Sequence, residues 1–110
     1  MKRGRKKEPT AMERRHMNRV AELGCLVCGG EAELHHVTGY ADRMGRLPRS
    51  SERVAPLCPL HHRGVGEKAP LLVSVQSLNH RGFYQEHGID LLKEAEGFWQ
   101  ISVELERRAA

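Results

Sequence analysis

Three short segments hold most of the residues that can do chemistry: Cys25-Leu26-Val27-Cys28, His35-His36, and Cys58-Pro59-Leu60-His61-His62. All three cysteines and four of the seven histidines fall within them. Zinc takes about four N or S donors in a tetrahedron, and a Cys-x-x-Cys pair on a tight turn supplies two. Cys58 and His61 lie one helical turn apart, so both can face the same ion, with His62 as the other candidate to close the set. The spacing predicts a structural zinc at Cys25, Cys28, Cys58 and His61. His35, His36 and His62 are then left over, and surplus imidazoles beside a closed metal site point to an enzyme.

If the residues after Cys58 are helical, His62 is rotated by about 100° from His61 and looks into a different space. Strands flanking the connection between His36 and Cys58 would bring His35 or His36 to that space as a hairpin. The geometry predicts two metal sites back to back, one closed by thiolates and one open and built of histidines. Two imidazole ligands leave positions for phosphate oxygens and water, and imidazole suits Zn, Ni, Co or Mn better than Mg. His80 is a possible third ligand of that second ion, or else polar surface. His87, beside Gly88, reads as a helix C-terminal residue favoured by the dipole, and His16 as packing or surface.

The elements that must position these groups have local signals. Thr10-Ala11-Met12-Glu13 fits a capping box, and apolar residues at helical spacing predict a helix over 11–23, ended by Gly24. Residues 25–30 form a metal-binding turn, 32–37 a short strand, and 38–51 a long loop without periodicity. A second strand over 53–57 would close the hairpin. Pro59 suits the first position of a helix with Cys58 as its N-cap, and Gly64 and Gly66 keep that helix short. Residues 70–78 are apolar and read as helix or loop. Helical signals return over 80–87, and Asp90 caps a last helix over 91–107 in which Gly97 is a weak point.

At 110 residues the chain is one small domain, with a basic arm over 1–10 and a zinc-stapled domain over 11–110. Only 39% of residues are hydrophobic, a thin supply for a core, so a metal staple is expected. The odd cysteine count argues against a disulfide framework. No apolar run is long enough to span a membrane and no apolar segment follows the basic start, so a cytoplasmic protein is expected. Lys2, Arg3, Arg5, Lys6 and Lys7 exceed the net charge of +4 by themselves, leaving the rest close to neutral. Such an arm is expected to be disordered and to bind phosphate backbones by counterion release. Arg43, Arg46, Arg49 and Arg53 read as a second DNA-contacting set.

Taken together, Cys-x-x-Cys, the His-His pair and Leu-Cys-x-x-His-His resemble the HNH endonucleases, with a ββα-metal fold and an embedded zinc knuckle. The flanking segments Arg19–Cys28, Pro56–His62 and Phe83-Tyr84-Gln85-Glu86-His87-Gly88 resemble the phage Ref-like group of recombination-enhancement nucleases, which act with RecA. The resemblance covers about residues 16 to 100. It implies an α+β fold, a small ββα-metal core with structural zinc flanked by N- and C-terminal helices. It also implies that His35 and His62 bind the catalytic divalent cation (Mg, Mn, Zn or Ni) and that His36 is the general base. The activity would be DNA cleavage of low sequence specificity in a bacterial host cell, in phage-associated recombination or DNA processing, with recruitment by a recombinase filament. The Asn of the HNH name is absent; Arg53 stands in its place, where the family residue braces a loop. The rival expectations are a zinc-containing nucleic-acid-binding module without catalysis and a protein-interaction adaptor.

Overall fold

The computed structural model describes residues 8–68 and 71–110. Among these residues the fold is α+β: one two-stranded antiparallel sheet and four helices. Helix α1 (Ala11–Glu22) starts at the expected capping box, with Thr10 Oγ1 accepting from the Glu13 N–H and the Glu13 carboxylate accepting from the Thr10 N–H. Two orphan donors of the first turn are thereby satisfied. Strand β1 (Glu33–His36) pairs with β2 (Val54–Leu57) in the register Glu33↔Leu57 and His36↔Val54. Helix α2 (Pro59–Arg63) follows directly, with Cys58 as N-cap, Pro59 at its start and Gly64 in the left-handed conformation (φ 74°) at its end. The consecutive β1, β2 and α2 form the ββα unit.

Helix α3 (Val75–His87) starts earlier than the helical signal at residue 80 and is broken at Asn79. The apolar stretch before it is non-helical up to Ser74, whose side chain caps Ser77 N. Helix α4 (Leu91–Ala109) is capped by Asp90 and runs through Gly97 without interruption, beyond the expected end at 107. Burial of Leu91, Ala95 and Ser102 on one face outweighs the roughly 1 kcal/mol propensity cost of one glycine.

All four residues of β2 are buried, and the core cluster joins Cys25, Val37, Ala55, Leu57, Val75, Phe83, Leu91 and Ala95. Cys25 belongs to that cluster, so the turn after α1 is part of the core. His16 is also buried, with Nδ1 2.7 Å from Ser102 Oγ, Nε2 3.1 Å from the Glu52 carbonyl and its ring edge-on to Trp99. Of the two readings of His16, packing is the one observed. The Glu106 carboxylate receives both Arg15 and Arg19 and ties α4 to α1.

The loop between the strands is held at both ends. Val37 N–H donates to Arg53 O at 2.9 Å, and Gly39 bridges Arg46. The Arg53 guanidinium donates to the Pro48 carbonyl at 2.6 Å. Arg53 thus braces the loop, the part that the resemblance gives to this position, and its Nε is buried. Lys2, Arg3, Arg5, Lys6 and Lys7 of the arm lie outside the described residues.

Candidate metal centre and active site

The turn after α1 is closed by two backbone hydrogen bonds. Cys25 N–H donates to Gly30 O and Gly29 N–H to Cys25 O, both at 2.8 Å, with Gly29 at φ 75°. Across from it, the N-terminus of α2 presents Cys58 and His61. The Cys28 and Cys58 sulfurs are 3.7 Å apart, and His61 Nδ1 is 3.6 Å from Cys25 Sγ and 3.2 Å from Cys58 Sγ. All four donor atoms lie within 4.8 Å of one another. A tetrahedron with Zn–S near 2.3 Å has S···S edges of about 3.8 Å, so the set fits a zinc ion with little adjustment.

Electrostatics differ between the thiols, and burial pushes the Cys58 thiol up. Burial pushes the Cys25 thiol up, but the backbone N–H groups of Cys58, Cys28 and Val27 together pull it below its usual value. His61 is held by its surroundings as well. His87 packs edge-on against its ring at 5.5 Å and donates from Nε2 to the Val73 carbonyl at 2.8 Å. His87 does sit in the last turn of α3, but its contacts are with the His61 and Phe83 rings rather than with the helix end alone.

The second cluster stands on the other side of α2. His62 Nδ1 meets Glu33 Oε2 at 2.5 Å, and the same carboxylate is gripped by Arg63 through Nε and Nη2. The Arg63 guanidinium, opposed by burial and helped by His62, holds the Glu33 carboxyl at about 2. A histidine whose Nδ1–H is held by a carboxylate keeps its Nε2 lone pair for an ion. His35, two residues after Glu33 on the same face of β1, faces His80 with the two Nε2 atoms 2.8 Å apart. Its ring centroid is 5.0 Å from those of both His62 and His80. Burial first, then the neighbouring His80, His62 and His36, push His35 down to about 3. The three imidazoles line one cavity of about 310 Å³ with Val75, Gln76 and Asn79.

His80 reaches this place by two backbone devices. Asn79 has φ 57° and ψ 179°, a region occupied almost solely by glycine, and its Oδ1 accepts from Gly82 N–H at 3.0 Å. The kink restarts the helix at His80 and turns its ring toward β1. Opposite, a Cβ on Gly39 would sit 2.4 Å from His80 Nδ1, so the close approach needs glycine there.

The sequence-predicted residues thus divide. Cys25, Cys28, Cys58 and His61 come together as expected, the one such donor set that closes tightly among the described residues. His35, His62 and His80 share a cavity in a looser arrangement. His36 follows His35 on the strand, half-buried, and is near enough to the His35 ring to help lower its pKa. Arg43 lies over the Tyr40 ring at 3.8 Å, while Arg46 and Arg49 are exposed. Glu33, Gly39 and Asn79 were missed; only Glu33 had a signal, its two-residue offset from His35.

No solved structure matches the chain. The family described as "Recombination enhancement, RecA-dependent nuclease" matches residues 9–90, a span that contains both clusters and every element before α4. The chain belongs to this family of RecA-dependent nucleases.

Proposed function

We propose that the protein is an HNH-type, divalent-cation-dependent DNA endonuclease of low sequence specificity, brought to its substrate by a RecA-type filament in phage-associated recombination. The observation that supports this reading best is the meeting of His35, His62 and His80 in one cavity, apart from the thiol cluster. Structural zinc at Cys25, Cys28, Cys58 and His61 fixes the start of α2, and with it the direction of His62.

In this reading His35, His62 and His80 hold the catalytic cation, with Glu33 orienting His62 through Nδ1. Those three imidazoles would hold a divalent ion, whose charge would offset that developing on the phosphate and the leaving oxygen. His36 accepts the proton of the attacking water, a step suited to an imidazole side chain. Arg43, Arg46 and Arg49, with Lys2, Arg3, Arg5, Lys6 and Lys7 of the arm, neutralise backbone phosphates without reading bases.

The test is nicking of DNA carrying a recombinase filament, in Mn or Mg. His36→Ala should keep its zinc and its DNA affinity and lose roughly 100-fold or more in rate, the usual contribution of a general base. A variant that nicks like the wild type would remove His36 from the chemistry.

A further inference from the structure

His80 and Asn79 of the imidazole cavity also line a second groove of about 390 Å³, whose other walls include Tyr40, Arg43, Arg81 and Gln85. No carboxylate lines this groove. Three other grooves on the described residues each carry at least two, drawn from Asp42, Glu52, Asp90, Glu94 and Glu96. Outside the arm the chain is nearly neutral, so a two-arginine groove beside the histidines is a local concentration of positive charge. Its floor is bare backbone at Gly39 and Gly45.

One wall is a stacking platform. The Arg43 guanidinium lies 3.8 Å over the Tyr40 ring, and Gly45 leaves the ring edge open, since a Cβ there would come to 3.4 Å. Asp42 touches Arg43 at 3.3 Å, but both side chains are more than half exposed, so a phosphate can displace that contact at little cost. Stacked aromatic and guanidinium planes beside free cationic donors are what single-stranded nucleic acid binds: bases stack on the planes and phosphates meet the cations. A base inside a duplex has both faces covered by its neighbours and cannot reach such a wall unless it leaves the stack.

We infer that this groove is a nucleotide subsite, which takes an unpaired nucleotide next to the cleaved phosphate, its base on the Tyr40–Arg43 pair and its phosphate toward Arg81. The substrate class is therefore a strand with at least one unstacked base at the cut, not intact duplex. The inference rests on the reading of the histidine cavity as the cleavage centre.

The test uses the full zinc-loaded chain and single-stranded oligonucleotides with a fluorescent aminopurine placed at each position in turn. Without added catalytic cation, binding should quench the probe most strongly at one position, in the wild type and Tyr40→Phe but not in Tyr40→Ala. With cation and a recombinase filament on the strand, Tyr40→Ala should raise KM roughly 5- to 100-fold, the range of one lost base–aromatic stack. An abasic site at that same position should raise KM equally in the wild type and add nothing in Tyr40→Ala. Equal zinc content and unchanged circular dichroism exclude misfolding of the variant. Cleavage that ignores both the abasic site and Tyr40→Ala, or that is as fast on intact duplex, overturns the subsite and leaves the nuclease reading standing. Tyr40-dependent quenching with no cleavage under any divalent ion, with or without a recombinase filament on the strand, keeps the subsite and removes the nuclease reading.

Discussion

His35 and His80 face each other through their Nε2 atoms at 2.8 Å, although 45 positions separate them in the chain. The contact joins β1 to the kink of α3 and sets the third imidazole beside His62. Two ring nitrogens so close either share a proton or share an ion, and the burial that pushes His35 down to about 3 favours the uncharged ring that both arrangements need.

Glu33 should govern affinity for the second ion. Glu33→Gln weakens the hold on His62 Nδ1 and releases Arg63. Mn affinity, read by electron paramagnetic resonance on zinc-loaded protein, should fall roughly 10- to 100-fold, as for other carboxylates that orient a metal-bound histidine. Zinc content should stay unchanged. Unaltered Mn affinity would show that Glu33 serves only the Arg63 ion pair.

Zinc removal should unfold the domain. Cys25 is 4% exposed and belongs to the core cluster, so losing the ion unpins core and turn together. Structural zinc in finger domains contributes on the order of 10 kcal/mol, comparable to the whole stability of a small domain at about 5–15 kcal/mol. Chelation, or Cys58→Ser, should abolish the cooperative thermal transition. Survival of that transition would make the quartet incidental to stability.

Asn79 should rank by backbone rather than by side chain alone. Asn79→Gly removes the cap to Gly82 but fits φ 57° and ψ 179°; Asn79→Ala loses the cap and keeps the strain. Urea unfolding should place the alanine variant about 1–3 kcal/mol below the glycine variant. The reverse order would mean that the kink is not enforced at this residue.

Gly97 offers the opposite case. A Cβ there meets nothing within 4 Å, and the residue is interior to a regular helix. Gly97→Ala should stabilise by about 0.5–1 kcal/mol.

Acid should act through His16. Burial lowers its pKa, with Arg19 lowering and Glu52 and Glu13 raising it, so the folded chain resists a proton that the unfolded chain takes up. Stability attributable to this residue is intact above the ordinary histidine pKa of about 6.5 and declines as pH falls through it. Comparing pH-dependent unfolding of the wild type with His16→Gln isolates the effect; parallel curves would exclude it.

The parts of this fold readable from the chain are those written in adjacent residues. The Thr10–Glu13 box, Cys58 before Pro59, Gly64, Gly88 and Asp90 each act within one helical turn, and each marks an observed boundary. The thiol cluster was equally readable, because Cys-x-x-Cys and Cys-x-x-His fix half a tetrahedron apiece. The contact of His35 with His80 had no such local mark. It depends on a missing side chain at Gly39 and a glycine-like backbone at Asn79, an asparagine, and neither alters any periodicity.

The central claim is that the imidazoles of His35, His62 and His80 form a cation site separate from the cysteines. Anomalous scattering from crystals grown with Mn tests it most directly. The account predicts a zinc peak amid Cys25, Cys28, Cys58 and His61 and a distinct Mn peak among the three imidazoles. A zinc peak alone, with the His35–His80 contact unchanged at saturating Mn, would contradict it.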